Sequence, residues 1–277
     1  MTAAIDVEAY RREGFLPGVP LLTADEAARL RLDCERTCGT EIKSLGRRQA
    51  SNRVKPYLLY PWAAGLVRHP RILEAVKALI GPDILVFHTT VWLKEPGSES
   101  FVPWHQDGTY FGLAPFDHVT AWVALTPSTP ENGCVRLLPR SHTEGQLGHR
   151  DQADPRAMLS RGQTLARDID EAAAVDLVMR PGDVSFHHTL ACHRSGPNLT
   201  DDRRIGIGVS YIPAHVRHVG QTRLAATLVA GVDRYGHFDP EPAPQADADA
   251  AALAAHADSL ERFWIASESI PEMALVH

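Results

Sequence analysis

The sequence has few cysteines, and their spacing gives them no obvious joint task. Cys34, Cys38, Cys134 and Cys192 are the four present, and no two of them form a Cys-x-x-Cys pair. A cytosolic chain would keep them reduced. Because free cysteine behaves as a small hydrophobic residue, we expect Cys34 and Cys38 to be buried by packing.

Membrane and export signals are also missing. No apolar run approaches the length of a membrane span. The first eight residues contain neither a basic region nor an apolar core, which argues against a secretory signal. The sequence therefore predicts a cytoplasmic protein without a membrane partner.

An excess of positive charge is absent as well. The formal net charge is -6, and an electrostatic nucleic-acid binder would need a basic face. We therefore expect no nucleic-acid partner and a small-molecule substrate, while oligomeric state stays open. Hydrophobic residues make up 44% of the chain and charged residues 22%, as in ordinary soluble domains. We predict one domain over residues 1–277. It has an insertion at 143–175 with a short helix and, over 220–277, a linker running into a C-terminal helix around Ala250 to Trp264.

Secondary-structure signals divide the chain into a helical beginning and a β-rich middle. Residues 5–40 have a helical pattern, with a capping box from Thr23 to Glu26. A second helix is predicted from Pro70 to Gly81. The strands predicted after it are short and separated by Pro/Gly turns: 84–93, 101–105, 119–125, 134–138, 175–179, 184–188 and 205–212. This pattern predicts a mainly β fold with flanking helices, a barrel or jelly roll.

The segment Pro103-Trp104-His105-Gln106-Asp107-Gly108 contains the first chemical signal. In an extended strand, residues i and i+2 point to the same face, so His105 and Asp107 can be directed at one point. A histidine and a carboxylate are two thirds of the facial triad that holds Fe(II) and leaves positions open for reactants. The third ligand has to come from downstream, where His187, His188 and His193 are the candidates.

The order of the motifs resembles a known family. The chain is similar to the phytanoyl-CoA dioxygenase family of Fe(II)- and 2-oxoglutarate-dependent oxygenases, whose fold is the double-stranded β-helix, or jelly roll. The resemblance covers roughly residues 5–215. It rests on Trp104-His105-Gln106-Asp107, Ala121-Trp122, Glu131-Asn132-Gly133-Cys134, Leu138-Pro139-Arg140-Ser141-His142, Pro181-Gly182-Asp183 and the segment from His193 through Ser195 to Asn198.

The resemblance implies roles for individual residues. His105, Asp107 and His193 would be the iron ligands and the catalytic centre. Arg204, eleven residues after His193, would bind the distal carboxylate of 2-oxoglutarate, since a guanidinium fork matches two carboxylate oxygens. The other implied cosubstrate contacts are Ser195, Gln106 and Trp122. Fe(II), 2-oxoglutarate and O2 are the implied cofactors.

The carboxylate ligand favours one reaction within this family. Residues 55–62 and 68–73 are similar to segments of members that halogenate amino acids, but halogenases replace the carboxylate by a small residue. Because Asp107 is present, the sequence favours hydroxylation of an unactivated C–H bond, with 2-oxoglutarate converted to succinate. Desaturation or cyclisation is a related outcome, and halogenation is disfavoured.

Substrate recognition is less well marked. His88, Thr90 and Lys94 lie along one predicted strand and are candidates for substrate contact. The basic residues between Lys43 and Lys55 (Lys43, Arg47, Arg48, Arg53 and Lys55) form either a solvated face or a lid that attracts an anionic or zwitterionic small molecule. Two rival functions stay open: a metal-binding cupin-like module without oxygenase activity, and different metal chemistry such as isomerisation.

Overall fold

The computed structural model describes residues 5–42, 51–159 and 162–269. The α-helices are α1 Val7–Glu13, α2 Ala24–Cys38, α3 Pro61–Leu66, α4 Pro70–Ile80, α5 Asp107–Phe111 and α6 Ala250–Ser269. Short 3-10 helices occur at Pro56–Leu58, Pro130–Asn132, Ser141–Glu144 and Glu171–Ala173.

The strands are β1 Phe15–Pro20, β2 Ile84–Lys94, β3 Val102–His105, β4 Leu113–Ala114, β5 Val119–Ala124, β6 Val135–Leu137, β7 His149–Arg150, β8 Thr164–Leu165, β9 Val175–Asp176, β10 Asp183–His188, β11 His193–Ser195, β12 Arg204–Pro213, β13 Arg217–His218, β14 Ala225–Ala230 and β15 Asp239–Pro240. Seven form one sheet in the order β1-β10-β5-β12-β2-β14-β15, and four form a second sheet in the order β3-β11-β6-β9. Side chains of both sheets share a core cluster that includes Trp122, Val135 and Leu137, so the sheets pack face to face. The jelly-roll prediction is confirmed.

Local signals at the two predicted helices agree with the structure. The side chain of Thr23 accepts from the backbone N–H of Glu26, and the carboxylate of Glu26 accepts from the backbone N–H of Thr23. Helix α4 begins at Pro70 and its backbone is capped at Gly81. One expectation was wrong: the helical pattern over residues 5–40 is interrupted by β1, which pairs antiparallel with β10. Its strand conformation depends on that distant partner.

The two faces of the large sheet are used differently. On β12, Ile205, Ile207 and Val209 belong to the main apolar core, which also contains Ile72 and Val76 of α4. Helices therefore cover the outer face of this sheet. The residues that alternate with these along β12 point the other way, into the space between the two sheets, where the motif residues lie.

The segments outside the motif region also differ from the predicted elements. Between residues 143 and 175, the described residues contain a small hairpin, β7 with β8, and short 3-10 helices, but no α-helix. The tail adds β14 beside β2, an addition that was not predicted, and helix α6 runs further than expected. All four cysteines are buried and unpaired, as expected for Cys34 and Cys38. None of the described helices combines the length and apolarity needed to cross a bilayer.

Candidate active site

His105, Asp107 and His193 meet between the two sheets. One donor atom from each lies within 4.8 Å of the others, as three ligands of one metal ion require. His105 and His193 are direct cross-strand partners on β3 and β11, with ring centroids 4.1 Å apart. Strand β3 ends at His105, Gln106 is still extended, and Asp107 begins α5. The antiparallel pairing of β3 with β11 thus brings in the third candidate ligand, His193, which the segment around His105 does not itself contain.

Both histidines present the nitrogen that a metal needs. Nδ1 of His105 lies 2.9 Å from the carbonyl of Pro103, and Nδ1 of His193 lies 3.0 Å from the carbonyl of Ala191. A carbonyl can only accept, so each Nδ1 donates its proton. Each Nε2 is therefore a free lone pair directed at the site, the arrangement typical of ligating histidines.

Asp107 has one oxygen toward the histidines and one turned away. Oδ1 lies 3.5 Å from Nε2 of His105 and 3.7 Å from Nε2 of His193, whereas Oδ2 accepts a 2.8 Å hydrogen bond from Thr120. Burial alone would raise the pKa of Asp107, but the surrounding histidines, His193 first and then His105 and His187, hold it well below its usual value. Burial, with the nearby His105, lowers the pKa of His193. An anionic carboxylate with neutral imidazoles is the protonation state that binds a divalent metal.

A narrow cavity of about 50 Å³ leads from the triad to a buried cation. Arg204 lines it and is 1% exposed. Its Nε has no hydrogen-bond partner, and no carboxylate is among the described groups that influence its pKa. Burial lowers that pKa to about 10, so the guanidinium remains charged at neutral pH. A buried charge without a counterion is costly unless a ligand supplies one, so this cavity fits a carboxylate.

Ser195 lines the narrow cavity, and the buried Lys94 contacts it. Nζ of Lys94 donates to Ser195 Oγ at 2.8 Å and to the carbonyl of Gly196. Burial and, to a smaller extent, the charge of Arg204 lower the pKa of Lys94 to about 6. Lys94 was expected at the substrate. The structure instead places it beside the arginine, because it lies on β2 directly opposite Arg204 of β12.

The aromatic ring of Trp122 lies against the guanidinium of Arg204. The carbon at the centre of the Arg204 guanidinium lies 5.5 Å from the centroid of the Trp122 ring, a distance at which a cation is attracted to an aromatic face. Gly206 makes room for this ring, because a Cβ there would lie 1.8 Å from Cζ2 of Trp122. Trp122 therefore lines the narrow cavity, as expected.

A second, wider cavity of about 470 Å³ opens on the other side of the triad. Trp92, His105 and Asp107 line both cavities, so the candidate metal site lies where they meet. The remaining described residues of the wide cavity are Glu41, Ser51, Val54, His88, Thr90, Tyr110, Phe111, Ala157, Met158, Leu159 and Trp264. None of these described lining residues is a lysine or arginine.

His88 and Thr90 lie in this wider cavity, where substrate contact was expected. The His88 ring stacks on Phe263 of α6 with centroids 4.7 Å apart and lies 5.5 Å from Phe111. Burial, together with the charge of Lys55, lowers the pKa of His88 to about 3. His88 is therefore a neutral hydrogen-bonding group at neutral pH.

Gln106 requires a correction, because it lines neither of these two cavities. Its side-chain amide donates to the carbonyls of Gly145 and Leu190 and accepts from the backbone N–H of Leu147. The residue lies between His105 and Asp107 in an extended stretch, so its side chain points the opposite way. It holds the loop at residues 145–147 in place.

The basic segment also requires a correction. Lys55 is neither a solvated residue nor a lid residue: its ammonium is buried and forms a 2.8 Å ion pair with Glu241. Arg53 donates to the carbonyls of Cys38 and Gly39. Lys43, Arg47 and Arg48 lie outside the described residues. Among the described basic residues of this segment, none lines the wide cavity.

Some site residues were not assigned from the sequence. Thr120 lies two residues before Trp122 on β5, so strand alternation alone could have placed it at the site. Tyr110 and Trp264 carried no such signal. Of the other histidines considered as ligands, His187 lines the narrow cavity, while Nδ1 of His188 accepts from the backbone N–H of Leu190.

Comparison with known proteins agrees with this geometry. The sequence profile of the phytanoyl-CoA dioxygenase (PhyH) family matches residues 10–206. The chain belongs to this family. Peroxisomal phytanoyl-CoA dioxygenase from Homo sapiens is 30% identical over 231 residues, which cover 76% of this chain and 68% of the human protein. The PhyH family depends on Fe(II) and 2-oxoglutarate, with O2 as co-substrate.

Solved structures extend the likeness beyond the family profile. The non-heme monooxygenase ThoJ matches with a TM-score of 0.83 and 36% identity, covering 95% of this chain and 97% of ThoJ. The epimerase SnoN, solved with Fe3+, alpha ketoglutarate and nogalamycin RO, matches with a TM-score of 0.60 and 25% identity over 76% of this chain and 84% of SnoN. Because these names include a dioxygenase, a monooxygenase and an epimerase, PhyH membership alone does not fix the reaction outcome.

Proposed function

We propose that this protein is an Fe(II)- and 2-oxoglutarate-dependent oxygenase that hydroxylates an unactivated C–H bond of a small molecule. His105, Asp107 and His193 hold the iron, and Arg204, Lys94 and Ser195 bind the distal carboxylate of 2-oxoglutarate. The observation that carries the proposal is the buried guanidinium of Arg204, which lines the same cavity as the triad and whose Nε has no hydrogen-bond partner among the described residues. A cupin-like module that binds only metal would have no use for this charge.

The chain's own residues divide the work between the two cavities. His105, Asp107 and His193 would hold the metal through three ligand atoms, which would leave room beside it for a 2-oxo acid and O2. When bound, iron with 2-oxoglutarate and O2 supplies the oxidant for an unactivated C–H bond, and the 2-oxo acid leaves as succinate and CO2. Arg204 and Trp122 orient the cosubstrate from the narrow side. The aromatic side chains of the wide cavity exclude water and hold the substrate.

The wide cavity suits a compact molecule with an apolar or ring-bearing body. Its described lining includes Trp92, Tyr110, Phe111 and Trp264, and neutral His88 is a hydrogen-bonding group among these rings. The absence of a cation from this described lining gives no support to an anionic substrate.

We further propose that the whole chain acts as one catalytic domain and that its tail is part of the site. Phe263 packs in a core cluster with Phe87 of β2 and Ile212 of β12, and its neighbour Trp264 reaches the wide cavity. The tail thus contributes a wall to the space where the substrate would bind. Trp264→Ala is expected to alter substrate preference and to leave 2-oxoglutarate affinity unchanged.

The decisive test is succinate formation by the purified protein. Wild type should convert 2-oxoglutarate to succinate only when Fe(II) is present, and a screen of ring-bearing small molecules should raise that rate for the true substrate. Anaerobic Fe(II) with 2-oxoglutarate should also produce the weak visible charge-transfer band of this family. Metal binding without that band would support the cupin-like module instead.

Product mass distinguishes hydroxylation from other oxidative outcomes. A gain of one oxygen atom supports the proposal, and loss of two hydrogens would indicate desaturation or cyclisation. An unchanged mass with inverted stereochemistry would indicate epimerisation. Chlorination is not expected, because Asp107 occupies the position that halogenases leave open for chloride.

A further inference from the structure

The outer oxygen of Asp107 lies between two polar side chains of the large sheet. Thr120 on β5 and His187 on β10 are direct cross-strand partners, and both line the narrow cavity. Thr120 donates to Oδ2 of Asp107 at 2.8 Å, and Nε2 of His187 lies 3.5 Å from the same oxygen. Oδ1, in contrast, faces the two ligating histidines.

His187 has no other evident task among the described residues. It is 2% exposed, and neither ring nitrogen has a hydrogen-bond partner within the usual limits. A buried polar group in that state needs an explanation, because native structures satisfy nearly all such groups. His187 is also absent from the set of donors that lie within reach of one metal ion. Its position identifies it as a neighbour of the ligand Asp107.

A carboxylate can bind a metal through one oxygen or through both. If Asp107 used both, one of the three positions needed by 2-oxoglutarate and O2 would be lost. We propose that His187 and Thr120 form a clamp on Oδ2 that keeps Asp107 bound through Oδ1 alone, and so keeps a coordination position free for the 2-oxo acid. This inference rests on the proposed function, and His187 acts in it as a positioning residue.

The clamp predicts that metal affinity and cosubstrate affinity respond separately. In His187→Leu the donor is lost, Oδ2 is free to turn to the metal, and the cosubstrate must compete for its position. The dissociation constant of 2-oxoglutarate should rise about 10-fold, the effect of one lost hydrogen bond to a charged group. Affinity for Fe(II) should stay near the wild-type value, because Oδ2 of Asp107 could then also bind the metal.

Three further variants separate this effect from general damage. His187→Gln retains an N–H donor and should recover most of the cosubstrate affinity. Thr120→Val is nearly isosteric, removes the other half of the clamp, and should weaken 2-oxoglutarate binding in the same direction. His118→Leu is the matched control: His118 is also buried with both ring nitrogens unpartnered, but it lines neither cavity. This control should leave both affinities unchanged.

Two anaerobic titrations give the readout. Competition with a coloured chelator measures Fe(II) affinity, and the charge-transfer band at saturating Fe(II) measures 2-oxoglutarate affinity. Equal weakening of both affinities in His187→Leu, or no change in either, would overturn the clamp; if that variant does not fold, Thr120→Val decides in the same way. Absence of the band in wild type would refute the proposed function itself, and the clamp with it.

Discussion

Removing the buried guanidinium of Arg204 should make the metal-free protein more stable while it destroys cosubstrate binding. The usual expectation for a buried residue is the reverse, because truncation in a core normally costs stability. Here the side chain is a fully buried cation whose described surroundings provide an aromatic ring but no carboxylate. Arg204→Met keeps much of the volume and removes the charge.

The pKa gives the size of the effect. Burial lowers the pKa of Arg204 from its ordinary value to about 10, which corresponds to about 3 kcal/mol of penalty on the charged form. Attraction to Trp122 offsets roughly 1 kcal/mol when the cation is present. We therefore expect Arg204→Met to raise the free energy of unfolding of the metal-free protein by about 1–2 kcal/mol.

The pH dependence has a definite sign. Because the folded-state pKa is lowered, the penalty is fully present below about pH 10 and fades as the pH rises toward 12.5. The contribution of the Arg204 charge itself should therefore be constant across neutral pH, while loss of that charge also raises the pKa of Lys94 from about 6 and adds a pH dependence near that value. Urea unfolding of metal-free protein, followed by tryptophan fluorescence at pH 6 to 9, measures it.

Cosubstrate binding provides the second half of this prediction. The charge-transfer titration should show that Arg204→Met loses 2-oxoglutarate binding, by about 100-fold or more for a lost bidentate charge pair. Arg204→Lys, the matched control, replaces the fork by a single amino group that burial can neutralise, so it should lose much of the stability penalty and show intermediate affinity. An Arg204→Met protein that is less stable than wild type and still binds 2-oxoglutarate would refute the reasoning.

Three further changes test other parts of the structure. Lys55→Met leaves the buried carboxylate of Glu241 without its cation and should cost about 3–5 kcal/mol in urea unfolding. Adding Glu241→Gln, which removes the charge and still accepts from the hydroxyls of Tyr57 and Thr227, should restore most of it, and a double variant as unstable as the single one would contradict this. Asp107→Ala should abolish succinate formation, and undiminished turnover would show that Asp107 is not a ligand. Glu26→Ala should cost about 1 kcal/mol at neutral pH. Because the backbone N–H of Thr23 lowers the Glu26 pKa to about 2, that difference should shrink as pH falls below about 4, and a pH-independent difference would contradict the assignment.

Local patterns predicted the elements whose causes are local. The capping box at Thr23, the proline start of α4 and the β-branched and aromatic residues of β2 each act within a few residues, and the structure contains all three elements. Strand β1 was missed because its conformation depends on pairing with β10, which lies far away in the chain. The Pro and Gly residues of Phe15–Pro20 give no strand signal of their own.

Sequence motifs also predicted part of the candidate active site. The spacing of His105 and Asp107 and the segment beginning at His193 pointed to three ligands, and the structure brings them together. Alternation along a strand tells which residues share a face, and it does not tell which cavity that face meets. His88 and Lys94 share a face of β2, yet one lines the wide cavity and the other lies beside Arg204.

The sequence by itself thus determined the family, the jelly roll and the candidate iron ligands, because short motifs carry that information. Only the tertiary structure decided which buried charged side chains have an oppositely charged neighbour. Lys55 is neutralised by Glu241, 186 residues away, whereas Arg204 is left without a described counterion. The physical reason is that an ionic partner depends on distance in space and on shielding from water, and neither quantity can be read from separation along the chain.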